Sequence, residues 1–399
     1  MDVRSGVSLW QSRVDVPPAA VPLNQDLSCE VVILGSGVTG ALIAQALTKA
    51  GVSTVMIDRG EVAAGSTAAS TGLLQYEVDN PLSKLIEQVG EQNAVHAYRR
   101  GLKAIDEIEQ LASDLSIDCE FERRKSLYVA SSRWHLYDLQ KEYECRKSHG
   151  FEVSWLDRDE LSMQTSIQSP GAILSSGDAQ INPLAFTRSL LRQAVEDGLR
   201  MFANTEVLDV EESGDGVLVR TAGGLVAAKK IVYATGYDPA QKIVRQVGNL
   251  NSTYALATAP VDAFPGWPDG WLLWETARPY FYARQTTDRR IILGGGDTAF
   301  KNDHQRDGLL QRQIEKVTSK FRSLFPEIEF QVQYVWAGTF AETKDGLACI
   351  GQHPERPSAY FALGYGGNGI TFSMIAARLI TDLYFGKANP DAEVFRVDR

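Results

Sequence analysis

Six residues, Gly35-Ser36-Gly37-Val38-Thr39-Gly40, follow an apolar run, Val31-Val32-Ile33-Leu34, and precede an Ala- and Leu-rich stretch, Ala41 to Ala50. A second apolar run, Ser53 to Ile57, ends on an acid, Asp58. This spacing suits a dinucleotide. Gly35 permits a tight turn, Gly37 lets the backbone approach a pyrophosphate, and Gly40 lets a helix pack closely on a strand. The pyrophosphate then lies at a helix N-terminus, where free N–H groups and the helix dipole favour an anion. Asp58 can accept hydrogen bonds from ribose hydroxyls, and its charge disfavours a ribose phosphate.

Two further stretches can do chemistry. Gly65-Ser66-Thr67-Ala68-Ala69-Ser70-Thr71-Gly72-Leu73-Leu74-Gln75 offers backbone N–H groups and hydroxyls with little bulk. Near the C-terminus, Tyr360 to Leu363 leads through Gly364-Tyr365-Gly366-Gly367-Asn368-Gly369 into an apolar stretch, Ile370 to Phe385. That is a second strand, glycine turn and helix N-terminus, able to direct N–H groups at developing negative charge. The five histidines, His96, His135, His149, His304 and His353, have neither metal-ligand nor triad spacing, so no metal is expected.

The elements that must position these groups follow from periodicity. Val31–Leu34 reads as a buried parallel strand, Ala41–Ala50 as a helix closed by Gly51, and 53–57 as a second strand. Asn80 and Pro81 are expected to cap a long helix running to Leu111, followed by a strand from Cys119 to Ala130 and a polar helix around 134–147. Ile181-Asn182-Pro183 opens another helix to Gly198. Strands are expected at 205–210, 216–221 and 230–234, the last ending in Ala234-Thr235-Gly236. Residues 280–284 and 290–293 read as strands paired across a turn near Asp288, and 305–325 as a helix. Residues 1–28 read as an irregular arm anchored by Trp10 and Leu23. Gly294-Gly295-Gly296 is expected to relieve crowding rather than bind phosphate.

A chain of 399 residues exceeds one ordinary core, which predicts two domains. Its 44% hydrophobic and 23% charged content suits a soluble globular protein, and the net charge of −10 argues against nucleic-acid binding. The most apolar helix candidate is interrupted by Arg378 and Asp382, so no integral membrane segment is expected. Four scattered cysteines without a C-x-x-C pair point to a reducing cytoplasm. A homo-oligomer is allowed but unreadable.

Over nearly the whole chain, the glycine turn, Asp58, the Gly65–Gln75 segment, Ala234–Gly236 and Trp336 to Ile370 together resemble the glycine oxidase / D-amino-acid oxidase family of FAD-dependent oxidoreductases. The resemblance implies an α/β fold: a Rossmann-type FAD-binding domain (1–80, 175–250, 335–399) interleaved with an α+β, antiparallel-sheet substrate domain (81–174, 251–334). It implies non-covalent FAD, because Gly338 stands where some relatives have a flavin-linked cysteine. The implied cofactor residues are Gly35, Ser36, Gly37, Val38, Thr39, Gly40, Asp58, Arg59, Gly65, Ser66, Thr67, Ala69, Ser70, Thr71, Gly72, Leu73, Leu74, Val207, Ala234, Thr235, Gly236, Gly338, Gly366, Gly367, Asn368, Gly369, Ile370 and Thr371. The family chemistry is hydride transfer to flavin from a carbon beside nitrogen, on an amino acid or secondary amine, followed by imine hydrolysis.

Tyr280 falls where the family contacts substrate with a tyrosine, and Phe340 falls where it clamps the substrate carboxylate with an arginine. Arg284 or Lys344 then becomes the candidate replacement cation, and Tyr282 and Trp336 are either pocket or core aromatics. The expected catalytic set is Tyr280, Tyr282, Arg284 and Phe340. Two alternatives remain beside amine oxidation: a hydroxy-acid or polyol-phosphate dehydrogenase, and an electron-passing flavin subunit of a larger complex. A nicotinamide dehydrogenase is disfavoured, since it has no use for the Gly65–Gln75 segment or the Gly364–Gly369 turn.

Overall fold

The computed structural model describes residues 2–13, 16–213, 216–237 and 248–399. One eight-stranded sheet is built around strand Leu27–Leu34, with Leu225–Tyr233 and Thr54–Ile57 parallel on either side. Arg356–Leu363 and Arg200–Phe202 continue the parallel set outward. Cys349–His353 and the pair Val207–Ser213 and Gly216–Thr221 complete the sheet in antiparallel fashion. Val31, Ile33 and Met56 enter one core, whereas Val32, Leu34, Val55 and Ile57 enter another. Both faces are therefore buried, which is why these strands are continuous apolar runs. Helices Val38–Lys49 and Gly369–Tyr384 belong to the first of those cores. Their N-termini are the two glycine turns.

The second sheet has ten strands and is antiparallel apart from the pairing of Leu272–Glu275 with Glu122–Val129. At its centre Asn249–Thr258 pairs with Val332–Glu342 and Ile291–Ala299, and Ile291–Ala299 pairs with Phe281–Gln285. Helix Asp303–Leu324 covers one face, with Ile314, Val317 and Phe321 packed among Tyr254, Leu256 and Leu293. Residues 335–342 and 73–74, expected with the cofactor domain, hydrogen-bond into this sheet. The chain passes between the sheets at the central cavity, so strand periodicity alone cannot assign those segments.

The arm behaves as expected at its anchors: Trp10 is 1% exposed and Leu23 3%. It is less irregular than expected, because Arg4–Gly6 adds an edge strand along Trp336–Gly338. The long helix expected from Asn80 is two helices, Leu82–Val89 and Glu91–Asp114, divided at Gly90 with φ +83°. Asn80 does not cap it. Both carboxylate oxygens of buried Glu142 accept the first N–H groups, from Leu82 and Ser83, each at 2.8 Å. Helix Pro183–Glu196 is capped as expected, the Ala185 N–H donating to Asn182 Oδ1 at 3.1 Å. Strands Val153–Asp157 and Gly171–Gln180 were not expected; they are polar or interrupted by glycine, and sheet pairing rather than local pattern forms them.

Candidate active site

A cavity of about 450 Å³ opens between the two sheets. The first glycine turn forms part of its wall. A Cβ on Gly40 would lie 2.0 Å from the Gly35 carbonyl oxygen, and one on Gly35 would lie 2.4 Å from that of Ala234. Helix and strand meet too closely for any side chain there. Asp58 is fixed by three donors: the Ser36 N–H and hydroxyl reach its Oδ2, each at 2.7 Å, and the Gly60 N–H reaches Oδ1 at 2.9 Å. The Val38 N–H donates to Thr67 Oγ1 at 2.9 Å, tying the Gly65–Gln75 segment to the helix N-terminus.

That segment is pinned at three successive carbonyls. Trp336 Nε1 donates to Ala69 O at 2.8 Å, Trp10 Nε1 to Ser70 O at 2.6 Å, and Arg284 Nε to Thr71 O at 2.7 Å. Arg284 also donates to Ile181 O at 3.1 Å and lies 5.3 Å from the Trp10 ring centroid. Burial pushes its guanidinium down to about 9. Arg284 is 2% exposed and does not line the cavity, so it is a fastening of the loop rather than a replacement for the missing clamp. Lys344 is exposed and is likewise absent from the wall, and Trp336 is a core residue.

Among the expected cofactor residues, Gly35, Gly37, Val38, Thr39, Asp58, Arg59, Val207, Ala234, Thr235, Gly236, Gly338 and the run Gly366 to Ile370 line the cavity. So do Gly65, Ser66, Thr67, Ala69, Ser70, Thr71 and Leu73. Ser36, Gly40, Gly72, Leu74 and Thr371 do not. Ser36 is spent on Asp58 and Gly40 on helix packing, as above. Gly72, at φ +74°, would place a Cβ 2.2 Å from Ile181 O; Leu74 is buried in the core; the Thr371 hydroxyl donates to Gln75 O at 3.5 Å. Thr235 Oγ1 is buried without a hydrogen-bond partner. A glycine cradle at a helix N-terminus, an acid beyond it and an unpartnered hydroxyl in the wall fit a dinucleotide. No cysteine or histidine lines the cavity among the described residues, and Cys349 is buried in its strand.

Tyr280, Tyr282 and Phe340 line the same cavity, the two tyrosine rings 5.9 Å apart. Gly294 makes room for Tyr282, whose ring would lie 2.1 Å from a Cβ there. The glycine triplet therefore relieves crowding. Three acids and a cation not expected from the sequence gather beside them. Asp79 accepts from the Tyr280 hydroxyl and the Gly367 N–H, each at 3.1 Å. Asp79, Asp297, Tyr280 and Phe340 also line an adjoining cavity of about 160 Å³, together with Glu342 and Arg278. Arg278 lies 4.7 Å from the Tyr280 ring centroid and donates to Asp79 O. Burial pushes the Asp297 carboxyl up to about 7, with Asp79 and Glu342 adding to the rise. Burial and then Asp79 raise Glu342 as well, and burial pushes Tyr282 up to about 12. No pattern marks these lone acids in the sequence.

Residues 30–383 match the family model DAO, described as FAD dependent oxidoreductase. The chain is 27% identical over 372 residues to a glycine oxidase of Geobacillus kaustophilus, covering 89% of this chain and 92% of that protein. It is 24% identical over 376 residues to the gamma-glutamylputrescine oxidoreductase of Escherichia coli, covering 92% and 86%. The crystal structure of glycine oxidase from Geobacillus kaustophilus superposes with a TM-score of 0.78 at 22% identity, covering 94% and 99%. With the match spanning both sheets and the cavity between them, the chain belongs to the DAO family of FAD-dependent oxidoreductases.

Proposed function

We propose that the chain oxidises the C–N bond of an amine or amino acid with non-covalently held FAD, and that amines are preferred to α-amino carboxylates. The carrying observation is Phe340 in the cavity wall beside Asp79 and Asp297, at the position where the family resemblance expects an arginine. A carboxylate placed there meets two acids, and the neighbouring Arg278 is already turned to the Asp79 backbone carbonyl, so it forgoes the roughly 1.5–3 kcal/mol of a charge-assisted hydrogen bond. Gly35, Gly37 and Thr39 are suited to the FAD pyrophosphate, Asp58 to the ribose and Gly366–Ile370 to the flavin end. Bound there, FAD supplies the two-electron acceptor for a hydride leaving the carbon next to nitrogen. Tyr280, Tyr282 and Phe340 orient that carbon and exclude water, and the resulting imine hydrolyses to carbonyl and amine.

A soluble, cytoplasmic setting is consistent with four free cysteines, and no helix among the described residues is long and apolar enough to cross a membrane. The test is spectral. Purified protein should carry visible flavin bands that bleach without oxygen on adding an amine. Bands that survive every amine yet bleach with a hydroxy acid would overturn the reading.

A further inference from the structure

The adjoining cavity has a chemistry that oxidation of a simple amine does not require. Three carboxylates, Asp79, Asp297 and Glu342, share its wall with one guanidinium, that of Arg278. The remaining neighbours, Asn251, Pro279, Tyr280, Thr298, Ala299 and Phe340, are neutral. Two of the carboxylates have prior engagements. Asp79 receives the Tyr280 hydroxyl and the Gly367 N–H, and Glu342 receives Asn251 Nδ2 at 3.0 Å. Arg278 turns its NH2 group to the Asp79 backbone carbonyl rather than to a carboxylate. Asp297 is different: Thr253 donates to its carboxylate, but its Oδ1 is buried with no hydrogen-bond partner, and the residue lines both cavities. A buried acceptor left unsatisfied is costly, so a cation donating to Asp297 Oδ1 supplies a hydrogen bond that the neighbouring side chains do not.

We infer that the adjoining cavity is a subsite for a second cationic group of the substrate, so that the preferred substrate is a diamine: one nitrogen sits beside the carbon that is oxidised, and the other donates to Asp297 Oδ1 with Glu342 alongside. The inference rests on the amine reading above and adds the far end of the molecule. It gives the three acids gathered beside Phe340 a role. The raised Asp297 carboxyl supports it, because a group near its midpoint at neutral pH gives up a proton when a cation arrives. The groups facing Asp297 in that titration are Asp79, Glu342, Arg278, Tyr280 and Tyr282.

Binding can be read without turnover. Calorimetric titration of the FAD-loaded protein uses a diamine whose nitrogen-bearing carbons carry no hydrogen, against the monoamine of equal length. The diamine should bind at least about tenfold more tightly, the minimum for one charge-assisted hydrogen bond. Its binding near pH 7 should release protons, seen as a heat that changes with the buffer's ionisation enthalpy. Asp297→Asn should abolish that release, and Asp297→Asn and the more exposed Glu342→Gln should each shrink the diamine preference about tenfold. Flavin spectra and melting curves show whether each variant folds. Equal affinity for the two amines in the unaltered protein, or a preference that survives both substitutions, overturns the subsite. Flavin bleaching by oxidisable amines is a separate measurement, so amine oxidation can stand if the subsite fails, and the subsite can stand if it does not.

Discussion

Phe340 decides what the cavity rejects. A phenyl ring offers no partner to a carboxylate, and a charge brought into a partly buried site unpaired is expensive. Replacing it should reverse the preference: Phe340→Arg is expected to raise affinity for an α-amino acid, relative to the matching amine, by at least about tenfold in anaerobic flavin titrations. No change in that ratio would mean that carboxylates are excluded by something else. Asp297 carries a second prediction. Its carboxyl is raised from 3.8 to about 7, so between those values the folded chain keeps a proton that the unfolded chain has lost. Ionising it therefore costs stability as pH rises from about 4 to about 7. At fixed FAD, Asp297→Asn should melt like the parent below pH 4 and at a higher temperature above pH 7; a pH-independent gap would contradict this. Residues like these were the least legible. Asp58 could be read because a glycine turn and two strands frame it, whereas Asp79 and Asp297 become neighbours only through sheet pairing. Arg284 misled for the same reason: its partners, Thr71 O and Ile181 O, are backbone atoms that no pattern reveals.

The elements were read more fully, and best where backbone sterics allow one residue type. The turn Gly35–Gly40 lies at the helix N-terminus it predicts, because a Cβ at Gly40 would overlap Gly35 O. Gly40→Ala should push helix Val38–Lys49 off its strand at about 1–3 kcal/mol. Visible flavin absorbance retained after gel filtration should fall with the melting temperature. The helix after Asn80 was legible in type but not in its ends. Its N-terminus is held from outside by Glu142, which also accepts from buried Arg146 Nε at 2.6 Å, and Arg146 in turn reaches Glu77 at 2.8 Å. Glu142→Ala removes two helix caps and leaves Arg146 half-paired, an expected loss of about 3–5 kcal/mol in denaturant unfolding. A loss below about 1 kcal/mol would show that water replaces the carboxylate there.

At the scale of the molecule, two sheets meet over one cavity and the chain crosses between them repeatedly. Parallel strands buried on both faces announce themselves as apolar runs; the antiparallel sheet, assembled from distant segments, did so only in part. That is why the fold class was legible while the strand pairing was not: Val332–Glu342 lies in the antiparallel sheet and carries Gly338, Thr339 and Phe340 into the cavity wall. The N-terminal arm acts across the whole assembly. Trp10 fastens Ser70 O and lies against Arg284, so Trp10→Ala should free the Gly65–Gln75 loop as well as leave a cavity. The expected result is weaker FAD binding on dilution, with a stability loss of about 3–5 kcal/mol. Unchanged FAD retention would place the arm outside cofactor binding. Oxidation of an amine by this FAD-dependent chain is read out in a single anaerobic turnover. An excess of protein is mixed with a limiting amine, and both flavin bleaching and carbonyl product are counted. One flavin reduced and one carbonyl formed are expected for each amine consumed. Flavin that stays oxidised with the amine recovered intact, while a hydroxy acid bleaches it, would show that the chain oxidises a C–O rather than a C–N bond.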